Sequence, residues 1–220
     1  SVRMSKLKCI IFDMDGTLTE TNRLIFDTFN YIAEKYERKR YSEPEIAAMF
    51  GPPEEGALVR VAGGAPIVDV MNDYLDFYRK NHGRLARLYP GIEGLLAYLK
   101  QKGVHLAMFT GKGIHTTTIT LEEFGLKEYF DYVVTGNDVV NHKPSPEGIR
   151  KILAHFDLAP SEALMVGDSV NDVKASRGAG VKIAAVLWDS YGKEQVEQME
   201  TDLAFHDVTE FHNWLKEQFD

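Results

Sequence analysis

Residues 10–20 read IIFDMDGTLTE: an apolar run that ends in two carboxylates, Asp13 and Asp15, with Gly16 directly behind them. Aspartate is rarely buried without a partner, and two carboxylates a few ångströms apart repel each other unless positive charge lies between them. A strand that delivers such a pair to its end asks for a cation there.

Outward from this stretch, short apolar runs alternate with helical segments, the pattern of a doubly wound, Rossmann-like α/β fold with a parallel sheet. Strands are predicted at Cys9–Phe12, His105–Phe109, Tyr132–Thr135, Leu164–Val166 and Lys182–Leu187, with an edge candidate at Leu203–Phe205. Helices are predicted over Ile92–Gln101, where Ile92, Leu95, Leu96 and Leu99 share a face and Gly103 stops the run, and over Pro146–Phe156, Asn171–Ala179 and Val208–Gln218.

One region breaks the alternation. From Thr17 to Leu88 the pattern is helical only: Ile25, Phe29, Ile32 and Tyr36 recur at helical spacing, as do Ile67, Val70, Tyr74 and Phe77. Ser42-Glu43-Pro44-Glu45 has the form of a capping box opening a helix that ends at Gly51. The expected organisation is therefore a core made of residues 1–16 and 89–220, an all-helical insertion over 17–88, and a return hinge at Tyr89-Pro90-Gly91.

The chain has 220 residues, a formal net charge of −8 and 44% hydrophobic residues, ordinary values for one globular domain with a smaller module. An acidic balance argues against nucleic acid, which needs a basic face. Cys9 is the only cysteine, so neither an intrachain disulfide nor a thiolate zinc cluster is available. No apolar run has the length of a membrane span, and no signal-peptide core is evident, so the expectation is a cytoplasmic protein, monomer or homodimer. Met4 is a candidate natural start, with Ser1–Arg3 then added ahead of it; the sequence leaves this open.

In open α/β sheets, ligands bind beyond the carboxyl ends of the strands. The first predicted strand delivers Asp13, Asp15, Gly16 and Thr17 there. The second delivers Thr110 and Gly111-Lys112-Gly113, the third is followed by Lys143, and the fourth delivers Asp168 and then Asp172. Carboxylates hold a hard cation, whereas a lysine and a hydroxyl face an anion. Taken singly, each residue has a plainer reading: a turn, a solvated loop charge, or, for Asp168 with Ser169, a helix cap. Their joint placement at successive strand ends is what makes a site.

Asp13-Met14-Asp15-Gly16-Thr17, Thr110, Lys143 and Gly167-Asp168-Ser169-Val170-Asn171-Asp172, in this order and each after an apolar strand, resemble the four motifs of the haloacid dehalogenase (HAD) superfamily. The helical insertion resembles the small cap of the branch that includes phosphoglycolate phosphatases, pyrophosphatases and β-phosphoglucomutases. The resemblance implies a phosphatase acting on a small phosphorylated metabolite. It makes Asp13 the nucleophile that forms an aspartyl-phosphate, and Asp15 the acid that protonates the leaving group and then activates water. Mg²⁺ would be held by Asp13, Asp168 and the backbone carbonyl of Asp15. Thr110, Gly111 and Lys143 would hold the phosphoryl oxygens, and Asp172 would orient metal-bound water or Lys143.

Two departures stand out: Glu20 replaces an aspartate common at that position, and the second motif reads Thr-Gly-Lys where many relatives have Thr-Asn-Lys. Gly111-Lys112-Gly113 fails the spacing of a P-loop. His142 is read as solvated or as lying behind the site, with no catalytic role, Trp188 and Trp214 as packing residues, and the basic run 35–40 as a solvated helix end. Substrate choice is expected from the insertion, with 49–55 near the site and Arg60 meeting a substrate carboxylate. The rival readings are a phosphomutase, a pyrophosphatase, a metal-free dehalogenase, against which Asp15 and Asp168 speak, and a receiver-like phospho-switch, which would need no helical insertion.

Overall fold

The computed structural model describes residues 6–220; Met4 and Ser1–Arg3 lie outside the described residues. In chain order the elements are β1 (Cys9–Phe12), β2 (Thr19–Glu20), α1 (Asn22–Glu37), α2 (Glu43–Ala47), α3 (Glu54–Leu58), α4 (Ile67–Leu85) and β3 (Arg87–Leu88), followed by α5 (Ile92–Gln101), β4 (His105–Phe109), α6 (Ile114–Glu123), β5 (Tyr132–Val134) and α7 (Glu147–Phe156). The chain closes with β6 (Ala163–Gly167), α8 (Val170–Ala179), β7 (Lys182–Val186), α9 (Lys193–Glu197), β8 (Leu203–Phe205) and α10 (Val208–Phe219).

Six strands form one parallel sheet in the order β5-β4-β1-β6-β7-β8. The expected doubly wound α/β class is what the chain adopts. β1 lies inside the sheet, and its four residues are buried on both faces, as a parallel strand covered by helices must be. Side chains alternate across it. Ile10 and Phe12 enter an apolar cluster with α5 and α10, whereas Cys9 and Ile11 enter a second one with α7 and α8. The four strands that carry the candidate site residues, β5, β4, β1 and β6, are consecutive neighbours in the sheet.

α1 to α4 build a third apolar cluster around Leu24, Phe29, Ile32, Val70, Tyr74 and Tyr78, which also takes in Ile119 from α6. The predicted capping box is present: Ser42 and Glu45 bond each other's backbone at the start of α2, which ends at Ala47 rather than Gly51. One expectation for 17–88 fails. Thr19–Glu20 and Arg87–Leu88 pair as a two-stranded antiparallel ribbon, with Thr19 opposite Leu88, at the stem of the helical segment. Two-residue strands are too short to show an alternating pattern, so only the approach of distant segments reveals them. Glu20 sits on this ribbon and forms an ion pair with Arg87.

α6, IHTTTITLEE, is dominated by β-branched residues that favour helix weakly. Its hydroxyls instead bond the preceding turn, Thr117 to Gly113 O at 2.8 Å and Thr118 to Ile114 O at 2.8 Å. Among the described residues no helix is long and apolar enough to cross a membrane.

Candidate active site

β1 ends at Phe12, but the backbone N–H of Asp13 still donates to Val166 O at 3.0 Å, so the chain leaves the sheet in register with β6. The next N–H, of Met14, donates to Asp13 Oδ1 at 2.7 Å and fixes that carboxylate. At Gly16 the backbone takes φ +83°, and a Cβ there would lie 2.3 Å from Asp168 Oδ2. Only glycine permits both the turn and the approach of β6's aspartate. The Thr17 hydroxyl then donates to Asp168 Oδ1 at 2.7 Å.

Lys143, from the long loop after β5, reaches this group. Its Nζ lies 2.8 Å from Asp172 Oδ1 and 3.3 Å from Asp13 Oδ2, donates to Phe109 O at 2.9 Å, and sits 4.6 Å from the Phe109 ring centre. Asp172 has a second set of partners. Its Oδ2 accepts from the backbone N–H groups of Asp168 (3.1 Å) and Ser169 (3.2 Å), while Ser169 caps α8. The plainer reading of Ser169 as a helix cap therefore holds, and the same capping box anchors the acid that grips Lys143.

Three carboxylates, of Asp13, Asp168 and Asp172, each place an oxygen within 4.8 Å of the others. Burial, then the charge of Asp172, pushes the Asp13 carboxyl well above its ordinary range, and the same two causes lift Asp168 to about 7. Burial works on Asp172 in the same sense, but Lys143 and its hydrogen bonds outweigh it and hold this acid low. The oxygens of Asp172 are thus spoken for, and Asp13 and Asp168 are the pair whose ionised forms are left short of compensating charge. An all-oxygen, doubly acidic site of this kind suits a hard divalent ion such as Mg²⁺.

The Asp15 side chain turns the other way. Its Oδ1 accepts from the Thr21 hydroxyl, and its Oδ2 lies 3.3 Å from Lys112 Nζ. Asp15 is outside the three-carboxylate group, so its expected share in an ion site rests on its backbone carbonyl alone. Thr110, whose N–H donates to Val134 O at 3.0 Å, and Gly111 complete the sheet edge.

These residues floor a cavity of about 250 Å³. Asp13, Asp15, Thr110, Gly111, Lys143 and Asp168 all line it, so the structure brings every predicted catalytic and phosphate-facing residue together. Opposite them stand Phe50, Gly51, Pro52 and Glu54, from the expected 49–55 segment, with Asn22, Ile25 and Phe26 of α1. The seam is close-packed: a Cβ on Gly111 would lie 2.0 Å from Gly51 O. Arg60 is not there. It is exposed and does not line the cavity, because the turn after α3 carries it to the surface.

Sequence reasoning gave Tyr78 and, once the P-loop spacing failed, Lys112 no role, and gave Glu54 only a place in the 49–55 segment. Lys112 is buried, and its Nζ donates to Tyr78 Oη at 2.9 Å. Glu54 is buried too, accepting from Gly113 N–H (3.0 Å) and from the Thr116 hydroxyl at the start of α6. The available signal was the lysine two residues after Thr110 at a strand end. The two tryptophans read as packing residues behave so, Trp188 donating to Thr17 O at 3.0 Å and Trp214 packing in the core, while His142 bonds Gly136 O.

A profile described as haloacid dehalogenase-like hydrolase matches residues 10–186. The chain is 32% identical over 197 residues to the pyrophosphatase PpaX of Bacillus thuringiensis (strain Al Hakam), an alignment that covers 90% of this chain and 91% of that one. Among solved structures it resembles "a predicted phosphoglycolate phosphatase" from Haemophilus somnus 129pt, at TM-score 0.83, 26% identity and coverage of 97% and 98%. It also resembles CbbY from Rhodobacter sphaeroides in complex with phosphate, at TM-score 0.79, 25% identity and coverage of 90% and 93%.

Proposed function

The chain belongs to the haloacid dehalogenase-like hydrolases, and from that premise we propose that it is a Mg²⁺-dependent phosphatase that hydrolyses a small phosphomonoester through an aspartyl-phosphate on Asp13. The observation that carries this reading is the buried constellation at the ends of β1, β4 and β6. There Asp13, Lys143 and Asp168 meet at the floor of one cavity with Thr110 beside them.

In the first step a carboxylate oxygen of Asp13 bonds to phosphorus as the bond to the ester oxygen breaks, and Asp15 gives its proton to that oxygen. In the second, a water oxygen bonds to phosphorus, its proton passes to Asp15, and the bond to Asp13 breaks. The Thr110 hydroxyl, the Gly111 N–H and Lys143 hold the phosphoryl oxygens. Asp13, Asp168 and the Asp15 carbonyl would hold Mg²⁺. When bound, the ion supplies positive charge against a repulsion worth about 4 kcal/mol per unit-charge pair at ~4 Å and an effective dielectric near 20. Asp172 orients Lys143, which it grips at 2.8 Å.

Residues 17–88 act as the cap that selects the substrate, with Phe50 to Glu54 over the site. Phosphoglycolate is the substrate we place first, supported by the H. somnus neighbour, and inorganic pyrophosphate second, supported by the PpaX relatives. A phosphomutase of the β-phosphoglucomutase type shares every core residue and differs in its product.

The test is phosphate release from phosphoglycolate, pyrophosphate and sugar phosphates, with Mg²⁺ or with EDTA, beside Asp13→Asn. Release should require Mg²⁺ and fall at least about 10³-fold in the variant. Undiminished release from Asp13→Asn would overturn the covalent mechanism, and conversion of a sugar phosphate into its isomer without free phosphate would select the mutase.

A further inference from the structure

We propose that Lys112 is a positioning residue for the acid–base Asp15 and that Tyr78, on α4 of the helical insertion, seats it, so that the acid–base group is aligned only while the insertion is packed against the core. The proposal rests on the aspartyl-phosphate reading above and concerns residues to which that reading gives no role.

Lys112 is held at both ends. Its backbone N–H donates to Thr110 Oγ1 at 3.2 Å, and its carbonyl accepts from Gly136 N–H at 2.8 Å. Its ammonium donates to Tyr78 Oη at 2.9 Å and lies 4.8 Å from the centre of the Tyr78 ring. Only 7% of the side chain is exposed, at the wall of the active-site cavity. Tyr78 is itself fully buried. Its hydroxyl lies 3.4 Å from Thr120 Oγ1, and that atom lies 3.0 Å from His82 Nε2. A chain of polar contacts thus runs from Asp15 through Lys112 and Tyr78 to the interface of α4 and α6.

Asp15 lies past the end of β1, and the Thr19 hydroxyl makes only a long contact to its Oδ1, at 3.4 Å. One oxygen is held by the Thr21 hydroxyl, where the chain enters α1, and the other faces Lys112 at 3.3 Å. Turning the carboxyl group away breaks one contact or the other. A buried ion pair adds little net stability, because desolvation offsets most of the attraction. Stability alone is therefore a poor account of a lysine buried at this seam, whereas fixing the direction of a carboxyl that must reach a leaving oxygen accounts for it.

The contrast between two esters of the same shape tests this. p-Nitrophenolate leaves phosphorus with little need of a proton, and phenolate leaves far less readily without one. kcat/KM for each ester reports steps up to formation of the phosphoenzyme. Lys112→Met should lower kcat/KM for phenyl phosphate by about 10²-fold and for p-nitrophenyl phosphate by about 3-fold or less. Tyr78→Phe, which keeps the ring and deletes one hydroxyl, should show the same contrast at about 5- to 10-fold for phenyl phosphate. A variant that merely loosened the structure would lose both esters equally; that result, or no loss at all, would overturn the proposal. Where Lys112→Met shows no cooperative thermal unfolding, Tyr78→Phe decides alone on the same criterion. Inactivity of the unmutated protein on both esters with Mg²⁺ would instead defeat the phosphatase reading on which the proposal stands.

Discussion

Lys143 and Lys112 are near twins. Each has a side chain 7% exposed, each lies over an aromatic ring, Phe109 at 4.6 Å and Tyr78 at 4.8 Å, and each faces one aspartate of the Asp13-Met14-Asp15 turn at 3.3 Å. They differ in what holds them. Lys143 is fixed by Phe109 O and Asp172, which belong to the α/β core, whereas Lys112 is fixed by Tyr78 of the helical insertion. The lysine that faces Asp13 is thus a property of the sheet, and the lysine that faces Asp15 is a property of the seam. On the proposed mechanism, the core then places the first carboxylate and the helices of 22–85 help to place the second.

The sharpest break of this pairing comes from Lys143→Met. Asp172, fully buried, would lose the counter-charge that Lys143 supplies and keep only the two backbone N–H groups on its Oδ2. Phosphate release should fall about 10²- to 10³-fold, and the free energy of unfolding in urea should drop by about 3–5 kcal/mol. If Lys112→Met destabilises the protein as much, the two lysines do not differ as described.

A smaller effect separates the two aspartates by their ion. Asp168 is raised to about 7 and Asp13 is raised as well, against 3.8 for a free aspartate. From about pH 4 upward the folded chain therefore retains protons that the unfolded chain has lost. Without metal, stability falls as pH rises through this window. Mg²⁺ opposes that loss, so its addition should raise the melting temperature by about 3–6 °C at pH 7.5 and by less at pH 5. Equal shifts at both pH values would place the ion elsewhere.

The smallest expected effect lies on the seam. Glu54→Gln keeps the shape of the residue that caps α6 but removes the charge beside Lys112, and should cost about 1 kcal/mol in urea unfolding. A loss as large as that of Lys143→Met would show the seam to be as rigid as the core.

The α/β class and the floor of the site were legible in the chain for a local reason. β1, β4 and β8 fall at their predicted bounds, and β5, β6 and β7 differ from theirs by a residue at one end or both, because a buried parallel strand is a short apolar run with abrupt ends. Each polar set follows such an end directly, or, for Lys143, along one loop. The ribbon of Thr19–Glu20 with Arg87–Leu88 was not legible, since each strand has two residues and its partner lies most of the insertion away. Nor was the exposure of Arg60, which depends on the turn after α3, or the burial of Lys112. A lysine between two glycines reads as a solvated loop charge until a tyrosine from another element closes over it.

By itself, then, the sequence determined which residues stand at the ends of the strands, because side-chain alternation and strand termination are set by neighbours in the chain. Only the tertiary structure decided which way the two aspartates turn and which lysine each one meets. Asp13 is directed by β6 and the loop after β5, and Asp15 by Thr21 ahead of α1 and by Lys112, which Tyr78 of α4 seats. All of them but Thr21 lie far away in sequence, and a charge is placed by what surrounds it in space.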